Sequence, residues 1–282
     1  MRFVNNLKTV VLLSVMMALC MLIGRVAGGP VGMIYGFVFG CLGSVVSYFF
    51  SDRIALASVG AQEIPPGELP WLHAMVADLC QRAGLPMPRL YVFPQAAPNA
   101  FATGRGPRHA AVAVSAGMLQ NFPQREIEGV LAHELSHIRN RDMLTATIAA
   151  CMAGMISGIA HMAWWFGGSR DRESSLGPIA GLLMIILAPI AATIIQLAIS
   201  RQREYAADSL GGEISGDPNK LADALQRLSG MNERIPTTAN PAFHSLFIMQ
   251  PFSGRGMMSL FSTHPPAEKR IERLRAQAMR MR

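Results

Sequence analysis

Four long apolar stretches interrupt an otherwise mixed pattern: TVVLLSVMMALCMLIGRVA (9–27), VGMIYGFVFGCLGSVVSYFF (31–50), LTATIAACMAGMISGIAHMAWWF (144–166) and GPIAGLLMIILAPIAATIIQLAI (177–199). Each approaches or exceeds the ~20 residues that a helix needs to cross a hydrocarbon core. Very short polar links join the first to the second and the third to the fourth, so the pattern predicts two helical hairpins. Between and after them the period changes. Residues 66–84 place Leu72, Met75, Val76 and Leu79 on one helical face, and Pro86 and Pro88 stop that helix. RLYVF (89–93), NAFATG (99–104) and HAAVAVS (109–115) read as short strands divided by Pro- and Gly-containing turns. PQREIEGVLAHELSHIRNRD (123–142) returns to helical spacing, with Ile127, Val130, Leu131 and Leu135 on its apolar side.

After the fourth stretch, SRQREYAADSLGGEISGD (200–217) starts with a helix. Asp217-Pro218 caps and starts another through Leu221, Leu225 and Leu228. The stretch 235–262 is weakly patterned and reads as a long loop. HPPAEKRIERLRAQ (264–277) predicts a basic C-terminal helix whose charges face solvent or lipid headgroups. The expected divisions are a hairpin at 1–50, a polar lobe at 51–143, a second hairpin at 144–199 and a helical lobe at 200–282.

Composition sharpens the membrane reading. Hydrophobic residues make up 51% and charged residues 15%, against about 25% charged in an ordinary globular chain. Mean hydropathy is +0.29. The net charge of +7 comes from basic residues spread along the chain; no nucleic-acid motif or basic stripe accompanies them, so no nucleic-acid partner is expected. An even number of spans puts both polar regions on one side. Arg2, Lys8, Arg53, Arg139, Arg141, Arg201 and Arg203 flank the spans there, against Arg25, Arg170 and Arg172 opposite, which assigns the polar regions to the cytoplasm. The first stretch is too long for a usual signal peptide, carries Arg25 and leads straight into another apolar run, so it reads as an uncleaved anchor. Cys20, Cys41, Cys80 and Cys151 form no CxxC pair and suggest neither a disulfide framework nor a cysteine zinc site. Gly32, Gly36 and Gly40, and again Gly154 and Gly158, recur every four residues, the spacing of close helix packing in lipid or simply of a glycine-rich span. Trp164 and Trp165 suit the headgroup boundary, His161 reads as interfacial and Pro189 as a kink.

The chemistry lies in HELSH (133–137). Residues four apart share one helical face, so His133 and His137 can present ring nitrogens to a single ion. Glu134 projects beside that ion, where it can take a proton from metal-activated water and deliver it to a leaving amine. In a chain with this many His and Glu, a chance HExxH is expected on the order of once in a hundred sequences. A catalytic zinc needs a third protein ligand and an open position. The extended HExxHxxGxxH pattern is absent, since Asn140 and Met143 stand at its Gly and His positions. Glu204 in REYAAD is the best candidate third ligand, with Asp208 four residues on as the acceptor that fixes a ligand histidine's tautomer. HELSH lies just before the second hairpin and REYAAD just after it, so the membrane excursion returns the third ligand to the same surface.

HELSH, EYAAD, PNAFATG (98–104) and STHPP (262–266) together resemble the HtpX family of bacterial membrane zinc metalloproteases, relatives of the CAAX prenyl protease type. The resemblance runs along the whole chain. It implies a mainly α membrane protein, with four transmembrane helices and a cytoplasmic α+β zincin-like metalloprotease domain. It further implies one zinc per chain held by His133, His137 and Glu204, Glu134 as catalytic base, and cleavage of misfolded or damaged membrane proteins at the bacterial inner membrane. It also makes Asn99, Ala100, Phe101, Ala102 and Thr103 a candidate substrate cleft, where an edge strand can pair with a peptide. His264 becomes a candidate oxyanion donor or a structural residue before the C-terminal helix. The rival readings are a non-catalytic zinc-binding membrane scaffold and a protease with HExxH inside a span; the polar PQREIEG before the motif argues against the latter.

Overall fold

The computed structural model describes residues 2–152, 201–232 and 265–281. It opens with helix α1 (Arg2–Ser58), which is broken at Gly28 and Gly29 just before Pro30. Gly29 sits at φ 63°, ψ −147°, a combination that only glycine adopts without strain. The break folds α1 into two arms, Leu7–Arg25 with mean hydropathy 2.2 and Gly28–Ser58 with 1.7, both long and apolar enough to cross a membrane. Tyr35, Phe39 and Leu22 are more than half exposed on their outer faces.

The glycine spacing is what lets the arms meet. A methyl group on Gly32 would lie 2.1 Å from the Gly24 carbonyl oxygen, one on Gly36 2.2 Å from that of Cys20, and one on Gly40 3.0 Å from Met17 Cα. Backbones therefore approach wherever Gly32, Gly36 and Gly40 recur, the packing mode that small residues allow in lipid. The described start of the third apolar stretch is helix α5 (Met143–Met152). Its Ile148, Ala149 and Met152 pack on Leu12 and Met16 of the first arm, and the hydroxyls of Thr145 and Thr9 lie 3.2 Å apart. The remainder of that stretch and the whole fourth stretch, with Gly154, Gly158, His161, Trp164, Trp165 and Pro189, lie outside the described residues.

The polar lobe is a small mixed sheet between two cores. Strands β1 (Gln62–Glu63), β2 (Arg89–Phe93), β3 (Ala100–Gly104) and β4 (Ala110–Ser115) are ordered β1-β2-β4-β3. β2 and β4 run parallel, and the outer pairs are antiparallel. The three strands expected from the pattern are present; the two-residue β1 was not legible. Because side chains alternate faces, Ala100, Ala102, Ala110, Val112 and Val114 pack into the larger core. Phe93, Phe101, Ala111 and Ala113 pack oppositely, against Ala55 and Leu56 of α1 and Ala150 and Cys151 of α5. The sheet is thus fastened to the apolar helices by one face and to the larger core by the other.

Helix α2 (Pro70–Ala83) starts on Pro70 and stops at Gly84 in the left-handed region, four residues inside the expected start. Its Leu72, Val76 and Leu79 are fully buried, each worth about 1.5–3 kcal/mol of apolar burial. A short helix α3 (Ala116–Asn121) is capped by the Ser115 hydroxyl, which accepts from the Met118 N–H. Helix α4 (Gln124–Asn140) follows Pro123 and buries Ile127, Val130, Leu131 and Leu135 as the spacing predicts. Helices α6 (Arg201–Ser215) and α7 (Asn219–Asn232) pack against it, and α8 (Ala267–Met281) packs on those two. Asp217 Oδ1 accepts the Asn219 N–H and caps α7, with Pro218 between them.

Candidate metal centre

Helix α4 carries His133, Glu134 and His137; helix α6 carries Glu204 and Asp208. The two helices can cross closely because Gly211 of α6 faces His133. A methyl group at Gly211 would lie 3.0 Å from the His133 Cα and N atoms. That crossing puts the first turn of α6 over the HELSH face. The Nε2 atoms of His133 and His137 are 3.1 Å apart. Glu204 Oε2 lies 3.8 Å from His133 Nε2 and its Oε1 3.6 Å from His137 Nε2. His133, His137 and Glu204 form the one such cluster of three potential ligands among the described residues.

The outer ring nitrogens decide what the inner ones can do. Nδ1 of His133 lies 3.0 Å from Asp208 Oδ1, and Nδ1 of His137 lies 3.1 Å from Asp142 Oδ1. With a carboxylate beside each Nδ1, which favours the proton there, both Nε2 atoms are left facing one point. Two lone pairs 3.1 Å apart repel each other unless a cation or a proton lies between them. The spacing fits zinc, because a tetrahedral ion with bonds of ~2.0–2.1 Å holds its donors about 3.3–3.4 Å apart.

Behind the ligands stands Arg270 of α8, only 1% exposed. Its Nη2 donates to Asp208 Oδ1 at 2.7 Å, its Nε donates to Asp208 Oδ2 at 2.8 Å, and its Nη1 lies 3.7 Å from Glu204 Oε2. Burial alone would raise the Asp208 carboxyl, but Arg270 and His133 hold it below the ordinary carboxylate range. Burial lowers His133, outweighing Asp208. For His137 burial also opposes protonation, but the charges of Asp142, Glu204 and Glu134 overcome it and carry the ring up to about 10.

Glu134 is 3% exposed. Burial pushes its carboxyl up to about 8, with the Glu204 charge adding to the shift and His137 and the Ala102 N–H opposing it. Its Oε2 accepts the Ala102 N–H at 2.8 Å. Ala102 belongs to β3, the edge of the sheet, and turns this N–H away from β4 and towards α4.

His133, Glu134, His137, Glu204 and Asp208 thus come together. The residues of the candidate cleft divide. Ala100 and Ala102 face the α4 side. The Phe101 ring packs on Phe93 in the opposite core, and the Thr103 hydroxyl lies 3.2 Å from that of Thr147 in α5. Asn99 begins the strand, its Oδ1 accepting the Ala100 N–H and its own N–H donating to the Ser115 hydroxyl. His264 lies outside the described residues, as does the whole of the expected 235–262 loop. Two site residues were missed in the sequence. Asp142 follows Arg141, whose left-handed φ of 58° ends α4; an acid five residues beyond a ligand histidine was the available signal. Arg270 corrects the expectation that the charges of the C-terminal helix all face solvent or headgroups. It shares a stripe with Leu274 and Ala278, all three buried.

Comparison with known proteins shows the family. Residues 66–278 match the model of peptidase family M48. A protein named Protease HtpX homolog from Sulfurihydrogenibium sp. (strain YO3AOP1) is 50% identical over 289 residues, covering 98% of this chain and 97% of that one. One of the same name from Aquifex aeolicus (strain VF5) is 50% identical over 271 residues, covering 93% and 90%. Among solved structures, that of S. mikatae Ste24p aligns with a TM-score of 0.52 at 16% identity, covering 96% of this chain and 66% of that chain. At that identity the likeness concerns the fold alone.

Proposed function

This chain belongs to peptidase family M48 and is a metalloprotease, and on that premise we propose that it is a zinc-dependent endopeptidase of the bacterial inner membrane that hydrolyses misfolded or damaged membrane proteins. The observation that carries the reading is the convergence of three ligand atoms from α4 and α6 on one point, with Glu134 adjoining it in sequence. His133, His137 and Glu204 would hold the ion. Zinc, when bound, supplies Lewis acidity that polarises a carbonyl and acidifies water at an open position.

The chain's own groups do the rest. Asp208 and Asp142 orient the two imidazoles, and Arg270 holds Asp208 charged and in place. The Ala102 N–H fixes Glu134 by one oxygen, leaving the other to take the proton of the attacking water and return it to the leaving nitrogen. Strand β3, at the sheet edge beside Glu134, is the surface against which an extended peptide would pair, with Ala100 and Ala102 towards the metal side.

In this reading all four apolar stretches cross the bilayer as two hairpins, and the polar lobes and active site face the cytoplasm. The packing of α5 along the first arm of α1 supports a third span beside the first hairpin, and the arginine bias supports the orientation. The test is cleavage of casein and of a membrane-protein substrate by the detergent-purified chain, with a chelator and Glu134→Gln as controls. Activity lost in both is expected. If Glu134→Gln keeps full activity while metal stays bound, Glu134 is not the base; if no cleavage occurs under any condition, a zinc-binding scaffold is the better reading.

A further inference from the structure

Where the second arm of α1 meets the sheet, a cavity of about 410 Å³ opens among Phe49, Phe50, Arg53, Arg89, Arg105 and Arg108. Its walls differ in character. Phe49 and Phe50, each over 40% exposed, end the apolar segment. The Arg105 guanidinium lies 5.4 Å from the centre of the Phe49 ring and that of Arg53 lies 5.5 Å from the centre of the Phe50 ring. Ring faces attract cations, so both guanidiniums are held against the cavity wall. Arg89 is already engaged, donating to Asp52 at 2.9 Å and to the Tyr91 hydroxyl at 3.0 Å. Asp52 is the sole acid among the described lining residues. No carboxylate among the described residues pairs with Arg53, Arg105 or Arg108. A second groove of about 790 Å³ shares Arg108 and His109 and adds Arg139 and Arg141, extending the positive surface towards the start of α5.

We propose that this cavity binds the phosphate headgroup of an anionic phospholipid, with an acyl chain lying along Phe49 and Phe50 and the outer face of α1. Guanidinium groups pair with phosphate oxygens bidentately, and basic pockets beside spans on the cytoplasmic side recognise anionic lipid headgroups. The apolar wall decides between a lipid and a soluble phosphate, since only a lipid carries a chain that would cover it. The proposal rests on the reading of α1 as a membrane hairpin. It has a mechanical consequence: Arg105 directly follows Gly104, the last residue of the strand whose Ala102 holds Glu134. A bound headgroup therefore fastens that strand to the bilayer surface.

The experiment is native mass spectrometry of the full chain carrying Glu134→Gln, in neutral detergent, titrated with dioleoylphosphatidylglycerol or dioleoylphosphatidylcholine. The anionic lipid should bind about tenfold or more tightly. R53Q/R105Q/R108Q should abolish that preference while phosphatidylcholine binding and the melting temperature stay unchanged. The single variant R105Q, which spares the rest of the cavity, should weaken it measurably. Equal binding of the two lipids, or a preference that survives in the triple variant, overturns the site. Inorganic phosphate titrated alone is the second arm. Binding as tight as that of phosphatidylglycerol assigns the cavity to a soluble anion and overturns the lipid assignment, whereas binding about tenfold weaker supports it. Carbonate extraction of the same proteins from membranes tests the hairpin separately. Release would sink the membrane reading, while retention with no lipid preference sinks this proposal alone.

Discussion

Replacing Arg270 by Met keeps most of the side-chain length and removes the charge. In the folded chain this strips Asp208 of two hydrogen bonds, at 2.7 and 2.8 Å, and leaves that carboxylate 3% exposed with His133 as its neighbour. Removing one member of a buried ion pair costs about 3–5 kcal/mol, because the other is left buried and uncompensated. Against a total stability of about 5–15 kcal/mol, that is a large share. It corresponds to a fall of roughly 6–20 °C in melting temperature. The same change loosens the group that orients His133, so zinc affinity should fall about 10–100-fold. The assay is a double-mutant cycle in the Glu134→Gln background, which prevents self-cleavage. Melting temperature and zinc affinity by chelator competition are read for Arg270→Met, Asp208→Leu and the double variant. Stability should largely recover in the double variant, where neither charge remains, while zinc affinity should stay low because His133 still lacks its carboxylate. Additive stability losses, or an Arg270→Met loss below about 1 kcal/mol, would refute the idea that Arg270 is what makes the buried Asp208 tolerable.

Further outcomes follow from other contacts. Asp142→Asn and Asp208→Ala should each lower metal affinity or activity about 10–100-fold, since each carboxylate orients one ligand ring; unchanged zinc affinity in either would remove that residue from the site. Gly211→Ala places a methyl group 3.0 Å from the His133 backbone and should cost about 1–3 kcal/mol through overpacking, with weakened zinc binding. Gly230→Ala, which meets nothing within 4 Å, should instead be neutral or stabilising by up to about 1 kcal/mol, and equal effects at the two positions would contradict the close helix crossing. For Asp217, burial opposes ionisation, but Arg125 and Asn219 outweigh it and depress the carboxyl pKa. Its contribution is therefore present in full above the unfolded value near pH 4 and is lost as pH falls through the folded one. The melting-temperature gap between the unmodified chain and Asp217→Asn should narrow from pH 5 to pH 3, and a gap that widens would reverse the sign of the argument.

Local patterns were legible in the sequence because their causes are local. The spacing of His133 and His137 on one helical face, the alternation of the strands and the four-residue recurrence of Gly32, Gly36 and Gly40 each follow from a single element's geometry. Glu204 and Asp208 were legible by a longer route, since the apolar stretch between them and HELSH had to return the chain to the same surface. Asp142 and Arg270 depend on tertiary pairing. Asp142 reaches His137 only because Arg141 turns the chain back at the end of α4. Arg270 sits beside Lys269 in a basic helix, and composition there argues for solvent. Its register with Leu274 and Ala278 places it on the buried stripe, where Asp208, 62 residues earlier in the chain, compensates its charge. The residues that orient the ligands were thus harder to read than the ligands themselves, because their roles are defined by partners on other helices.

The central claim is that His133, His137 and Glu204 share one ion with an open position beside Glu134. Zinc stoichiometry combined with X-ray absorption at the zinc edge, on full-length protein carrying Glu134→Gln, tests this most directly. One zinc per chain is expected, with two imidazoles and a carboxylate at about 2.0–2.1 Å, and both zinc and imidazole scattering should fall sharply once Glu204→Ala is added. Full occupancy without Glu204, or a fourth protein donor completing the coordination, would contradict it.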